Sequence, residues 1–219
     1  MLYLFDIDGT LVDTGGAGMR ALQEAALEIF GTCGPALDLA GSTDLGIAMH
    51  IHSHFGIAPD DGRIQAFFTI YHIRLNWNLS HGNFAGRVFS GVRAVLDELS
   101  GRADATLGLL TGNTAAGAAA KMRHFQLDAY FPFGAYGCDH ADRNQLGPIA
   151  LARAAAHAGR TFTAAETLVI GDTPKDIACA HAIGARCLAV ATGQFSLAAL
   201  HAHGANAVAA TLDEALGWL

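Results

Sequence analysis

The first strand of this chain leaves little choice about what must surround it. Leu2-Tyr3-Leu4-Phe5 runs without a polar break into Asp6-Ile7-Asp8, followed at once by Gly9 and Thr10. A continuous apolar run suits a strand buried on both faces, the environment of a parallel sheet covered by helices. In open α/β sheets the ligand crevice lies beyond the carboxyl ends of the strands. Two carboxylates placed there do nothing for packing, so Asp6 and Asp8 are the first candidates for chemistry.

After Thr14 the chain changes character. Gly15-Gly16-Ala17-Gly18 breaks it, and from Met19 to Phe30 the apolar positions Leu22, Ala25, Ala26, Ile29 and Phe30 recur at helical spacing. Ser42-Thr43-Asp44 can cap a second helix to about Phe55, and Pro59-Asp60-Asp61 can open a third to about Leu79. His81-Gly82-Asn83 breaks the chain again. Residues 15–87 therefore read as an all-helical insert, or cap, within an α/β core made of residues 1–14 and 88–219.

From Val88 strands and helices alternate. Strands are expected at Ala105 to Leu110, Leu168 to Ile170, Cys187 to Val190 and, more weakly, Ala207-Val208. Helices are expected at Val92 to Leu99, after Thr114 to about Phe125, at Pro148 to Ala158 and from Pro174 to about Ile183. This pattern predicts a doubly wound parallel sheet, Rossmann-like, with helices on both faces.

Composition narrows the partners. The net charge is −7, from 13 Lys+Arg against 20 Asp+Glu, so no cationic excess is present to follow a nucleic-acid backbone. No segment reaches the roughly 20 apolar residues of a membrane span, and Asp6 and Asp8 interrupt the only apolar N-terminal run, which argues against a signal peptide. Cys33, Cys138, Cys179 and Cys187 lack Cys-x-x-Cys spacing and read as reduced, mostly buried thiols of a cytoplasmic protein.

The pattern of apolar strand, polar residues, then helix occurs three times: at Asp6/Asp8, at Thr111-Gly112-Asn113, and at Gly171-Asp172-Thr173-Pro174-Lys175-Asp176. If those strands are neighbours, several carboxylates and a hydroxyl meet in one crevice. Clustered carboxylates need a cation, a shared proton or both. Oxygen ligands without a His/Cys set point to Mg²⁺, which takes one or two carboxylates and keeps water and phosphate as its other ligands. Thr111 and the amides that open the next helix would face a phosphate group.

These three segments, with their order and the helical insert after the first, resemble the first, second and fourth motifs of the haloacid dehalogenase superfamily, and most closely its phosphoglycolate phosphatase-like branch. The resemblance implies a Mg²⁺-dependent phosphatase acting on a small phosphorylated metabolite, with no nucleic-acid or membrane partner, as a monomer or homodimer. It implies that Asp6 attacks phosphorus to form an aspartyl-phosphate and that Asp8 serves as acid and then base. The metal would be held by the Asp6 carboxylate, the Asp8 main-chain carbonyl and Asp172, with Asp176 supporting it from behind or through water. Thr111 would contact the phosphoryl oxygens, with Gly112 and Asn113 beside it.

The superfamily's third motif normally brings a lysine. The corresponding segment, Cys138 to Pro148, has none, and Arg143 is its only cation, so Arg143 is expected to act on Asp6 and on the phosphate. Asp44, in a loop able to reach over the crevice, is a further candidate for substrate contact. His50, His52 and His54 lack a nearby Glu or Cys and read as cap surface or packing contacts rather than a metal site. Asp8 and the Asp172/Asp176 pair argue against a haloacid dehalogenase. A sugar phosphomutase of the same fold, or a catalytically weak protein that binds a phosphorylated metabolite, remains open.

Overall fold

A computed structural model describes residues 1–219. The chain runs β1 (Leu2–Phe5), β2 (Val12–Asp13), α1 (Ala17–Phe30), α2 (Asp44–His54), α3 (Asp61–His81), β3 (Arg87–Val88), α4 (Val92–Ser100), β4 (Thr106–Thr111), α5 (Ala115–His124), β5 (Gly134–Tyr136), α6 (Leu146–Ala158), β6 (Thr167–Gly171), α7 (Pro174–Ala182), β7 (Arg186–Val190), α8 (Leu197–Ala202) and β8 (Ala207–Ala209). Six strands form one sheet in the order β5-β4-β1-β6-β7-β8, and every neighbouring pair is parallel. The chain winds outward from β1 to β5, then returns to lay β6 against the other side of β1. That reversal is the doubly wound switch point, and it opens a crevice at the carboxyl ends of β1 and β6.

The two-sided burial of β1 follows from its residues. Leu2, Tyr3, Leu4 and Phe5 are all at most 1% exposed. Tyr3 and Phe5 join the core under α4 and α5, whereas Leu2 and Leu4 join the core under α6, α7 and α8. This is the period-two alternation of a pleated strand, with apolar residues in both phases. Phe5 is in register with both Leu109 and Ile170, so Asp6, Thr111 and Asp172 emerge at the same sheet edge.

The helical insert has its own core. Leu22, Ala25 and Ala26 of α1 pack with Ile47 and Ile51 of α2 and with Phe67, Phe68 and Tyr71 of α3, and Ala120 of α5 joins them from below. The expected caps form: the Thr43 hydroxyl accepts from the Gly46 amide at 3.1 Å, and Asp60 accepts from the Arg63 amide at 2.9 Å. His52 is buried between Phe30 and Phe67, its Nδ1 2.8 Å from the Ala48 carbonyl oxygen, so it is a packing residue. The two connections to the insert run side by side, because β2 and β3 pair antiparallel through Val12 with Val88 and Asp13 with Arg87.

Several elements differ from the sequence expectation. β5 has only three residues and β2 and β3 only two each, too short for any periodicity to register. The short helix α8 is likewise absent from the expected elements. The thiols are not mostly buried: Cys179 and Cys187 are, but Cys33 and Cys138 are exposed. No helix is long and apolar enough to cross a membrane.

Because Leu4 is wholly buried at the centre of the sheet, Leu4→Ala should lower unfolding free energy by about 2–5 kcal/mol. Urea titration against the parent chain measures this, and a loss below about 1 kcal/mol would mean the site collapses around the missing atoms.

Candidate active site

The crevice edge is shaped by tight turns. Gly9 has φ +84°, a left-handed conformation, and a Cβ there would stand 2.3 Å from Asp172 Oδ2. The turn from Ile7 to Val12 is closed by amides of Leu11 and Val12 on the Ile7 carbonyl. It delivers the Thr10 hydroxyl to Asp172 Oδ1, donating at 2.9 Å. The hydroxyl residue of the first motif therefore orients the acid of the last one.

Three carboxylates meet here: oxygen atoms of Asp6, Asp172 and Asp176 lie within 4.8 Å of one another, all on buried residues. Asp176 is committed on both sides. One of its oxygens pairs with Arg143 Nη2, and the other accepts from the Thr173 amide at 3.0 Å and hydroxyl at 2.7 Å, a capping box opening α7. It thus occupies the supporting position behind the other two. Asp6 and Asp172 face the cavity. Burial raises the Asp6 carboxyl to about 6 despite the opposing pull of Arg143. Burial, then the charges of Asp176 and Asp6, push Asp172 up to about 9. Two buried carboxylates that resist ionising together, both of hard oxygen chemistry, fit a divalent cation such as Mg²⁺.

Arg143 lies against Asp6. Its Nη2 lies 3.2 Å from Asp6 Oδ1 and also pairs with Asp176, at 5% side-chain exposure. Burial opposes its charge, but Asp176 and Asp6 outweigh that and hold its pKa above the ordinary arginine value. Nη1 donates to the Gly41 carbonyl at 3.3 Å and Nη2 to the Leu110 carbonyl at 3.3 Å, while Nε is buried without an acceptor.

The second carboxylate, Asp8, has a partner that the sequence reading missed. Lys121 Nζ bonds Asp8 Oδ1 at 2.8 Å and Oδ2 at 2.7 Å, and its third donor goes to Asn113 Oδ1 at 2.6 Å. Asn113 Nδ2 in turn donates to Asp8 Oδ2 at 2.8 Å and to the Thr111 hydroxyl at 2.9 Å. Lys121 is buried, although in the sequence it is one more residue of an alanine-rich helix. The available signal was a lone lysine about two turns into the helix that follows Asn113.

The structure gives both Thr111 and Asp44 protein partners, and only Asp44 also lines the cavity. Thr111 is fully buried and does not reach the cavity wall; its hydroxyl accepts from the Asn113 side chain and amide, so it braces the loop. Asp44 lines the cavity but is committed to the core: its carboxylate accepts from the Thr114 amide at 2.7 Å, and its amide donates to the Gly112 carbonyl at 2.7 Å. The loop around it lies so close that a Cβ on Gly112 would stand 1.9 Å from the Ser42 carbonyl oxygen. The reason in both cases is that short polar side chains beside a helix start satisfy backbone amides first. Gly112 and Asn113 do line the cavity, with Asp6, Asp8, Lys121 and Arg143.

The family is decided by a match that runs from β1 through β7, insert included. A model of the haloacid dehalogenase-like hydrolases matches residues 3–190. The chain belongs to the haloacid dehalogenase-like hydrolases. Among solved structures, a hydrolase from Pseudomonas syringae superposes with a TM-score of 0.73 at 18% identity, covering 100% of this chain and 97% of that one. CbbY from Rhodobacter sphaeroides in complex with phosphate gives 0.74 at 19%, over 98% and 96% of the two chains. A predicted phosphoglycolate phosphatase from Haemophilus somnus gives 0.72 at 16%, over 99% and 96%. At these identities the likeness is one of fold. No curated protein matches the sequence significantly.

The raised Asp172 and Asp6 carboxyls set a pH dependence for this hydrolase. A carboxyl whose pKa is raised on folding stabilises the fold at low pH and loses that contribution as pH climbs from about 4 through its folded value. The metal-free protein should therefore melt at progressively lower temperature from pH 5 to pH 9, and Asp172→Asn should flatten that decline. Mg²⁺ should raise Tm more at pH 8 than at pH 5, with each kcal/mol worth roughly 2–4 °C at this size. Melting curves that are parallel with and without Mg²⁺ across this range would contradict a metal at this site.

Proposed function

We propose that this hydrolase is a phosphatase that cleaves small phosphomonoesters through an aspartyl-phosphate on Asp6. One observation carries this reading: Asp8, two residues after Asp6, opens into the same cavity as Asp6, Asp172 and Arg143. Ester cleavage needs a nucleophile and, separately, a group to protonate the departing alcohol, and two carboxylates on one turn provide both roles.

In this scheme an Asp6 carboxylate oxygen attacks phosphorus while the ester oxygen departs with a proton from Asp8. Water then attacks the phosphorus of the aspartyl-phosphate, Asp8 takes its proton, and inorganic phosphate leaves with Asp6 restored. Arg143 lies against Asp6 and holds that carboxylate in place for attack. Lys121 and Asn113 bond both oxygens of the ionised Asp8, the form that takes the proton from water, and give it a defined direction; to serve as the acid, Asp8 first gains a proton and gives up one of these bonds. Asp6, the Asp8 carbonyl and Asp172 would hold Mg²⁺, with Asp176 fixing Arg143 behind them. A cation bound there supplies charge neutralisation and alignment of the phosphoryl oxygens.

The helical insert serves as the cap in this reading. Its segment from Gly41 to Leu45, which opens α2, is tied to the core by backbone bonds from Asp44 to Gly112 and from Leu45 to Gly137, and by Lys175 Nζ on Ser42 Oγ at 2.7 Å. Opening of those bonds would widen access to the cavity, with the motion concentrated where β2 and β3 carry the two connections. The cytoplasm is the expected setting.

Phosphate release from phenyl phosphate tests the reading. It should require Mg²⁺ and should fall by about a thousandfold or more in Asp6→Asn; equal activity in that variant would sink the assignment. Lys121→Met should depress hydrolysis of alkyl phosphates by about tenfold or more relative to aryl phosphates, since only the poorer leaving group depends strongly on a well-placed Asp8. Lys121→Arg should recover part of the loss. Equal losses on both ester classes would show that Lys121 does not act through Asp8.

A further inference from the structure

The wall of the active-site cavity is divided by chemistry along the boundary between core and insert. The cavity has a volume of about 400 Å³. The core contributes only glycines and polar or charged residues to it, among them Asp6, Asp8, Asn113, Lys121, Arg143 and Asp172. Every large apolar residue in the wall comes from the insert: Met19, Leu22, Leu37, Leu39, Ile47 and Tyr71. The charged residues the insert adds are both acids, Asp38 and Asp44, and it adds no lysine, arginine or histidine.

The cations of the cavity are Lys121 and Arg143, and neither has a charge to spare for the far end of a substrate. All three donors of Lys121 are engaged by Asp8 and Asn113. Arg143 is paired with Asp6 and Asp176 at the phosphoryl end. A second anionic group on the substrate, placed under the insert, would meet two carboxylates and an apolar surface, while the neighbouring cation, Lys175, is bonded to Ser42 Oγ and does not line the cavity. Desolvating the anion there is costly, and like charges set against each other repel. An apolar group gains from the same surface. Tyr71 adds one polar handle, since burial, with the charges of Asp44 and Asp8, keeps its phenol protonated.

Resting on the phosphatase reading for the phosphoryl end, we infer that the substrate is a monoester of an uncharged, partly apolar alcohol, and that a leaving group bearing a carboxylate or second phosphate is discriminated against. The apolar face of the insert selects it. This separates the chain from phosphoglycolate, whose leaving group carries a carboxylate.

Phenyl phosphate and 4-carboxyphenyl phosphate make a matched pair for the test. Their size is similar, and the carboxylated ester has the better leaving group, so chemistry alone favours it. The expected result is kcat/KM at least about tenfold higher for phenyl phosphate, with the same ranking when Asp6→Asn binds the two esters in a calorimeter. Leu37→Lys, which sets a cation in the apolar wall, should narrow the gap by raising use of the carboxylated ester. Equal or tighter binding of 4-carboxyphenyl phosphate, or no measurable binding of phenyl phosphate, would overturn the inference. Tighter binding of phenyl phosphate with no phosphate released from either ester would overturn the phosphatase reading and leave the apolar selection standing.

Discussion

The structure depends on how it keeps acids together at one sheet edge. Asp6, Asp172 and Asp176 are each at most 4% exposed, and carboxylates crowded in a poorly solvated site repel one another strongly. The Arg143 guanidinium between Asp6 and Asp176 is the protein's own answer. Removing one member of such a buried group leaves an uncompensated charge, at a cost of about 3–5 kcal/mol. An arginine suits this place because its planar fork can face two acids and remain charged in any surroundings. The Asp6–Asp172 edge has no such partner, and Asp172 leans instead on the Thr10 hydroxyl. That imbalance is what a divalent cation bound there would relieve.

A second arrangement of charge governs Asp8. Lys121 reaches it from α5, two turns beyond the loop that carries Asn113, and joins the loops after β1 and β4 into one hydrogen-bonded unit. The nucleophile and the proton carrier proposed for the reaction therefore rest on different cations. Arg143 belongs to the segment between β5 and α6, and Lys121 to the helix after β4, so a change at one need not disturb the other. The insert meets this apparatus through backbone contacts at Gly112 and Gly137 and through the Asp44 carboxylate. Those contacts set the height of the apolar roof above the charged floor.

Much of the fold was legible because local patterns and the final environment agreed. The unbroken apolar run of β1 could only be a strand covered on both faces, and Thr43 and Asp60 capped the helices they preceded. The three polar strand ends were visible as a recurring pattern, and the register of β1 with β4 and β6 brings them together. The candidate site was less legible. Thr111 was expected at the phosphoryl oxygens because of where it lies in the chain, but its hydroxyl accepts from Asn113 and stays out of the cavity wall, since a buried amide or side chain needs its partner; Asp44 binds the Thr114 amide and lines the cavity as well. Lys121 escaped notice because nothing local distinguishes a buried lysine from an exposed one in an alanine-rich helix.

By itself, the sequence determined the elements, their alternation and the residues that stand at strand ends, because these depend on side-chain periodicity and backbone preference over a few neighbouring positions. Tertiary structure alone decided which acid meets which cation. Asp8 and Lys121 are separated by 113 positions and Asp6 and Arg143 by 137, and only the winding of the sheet sets the few ångströms between them. The division of the cavity into a charged floor and an apolar roof is likewise a product of assembly. It exists only where the insert, with a core of its own, closes over the switch point of a sheet that it does not join.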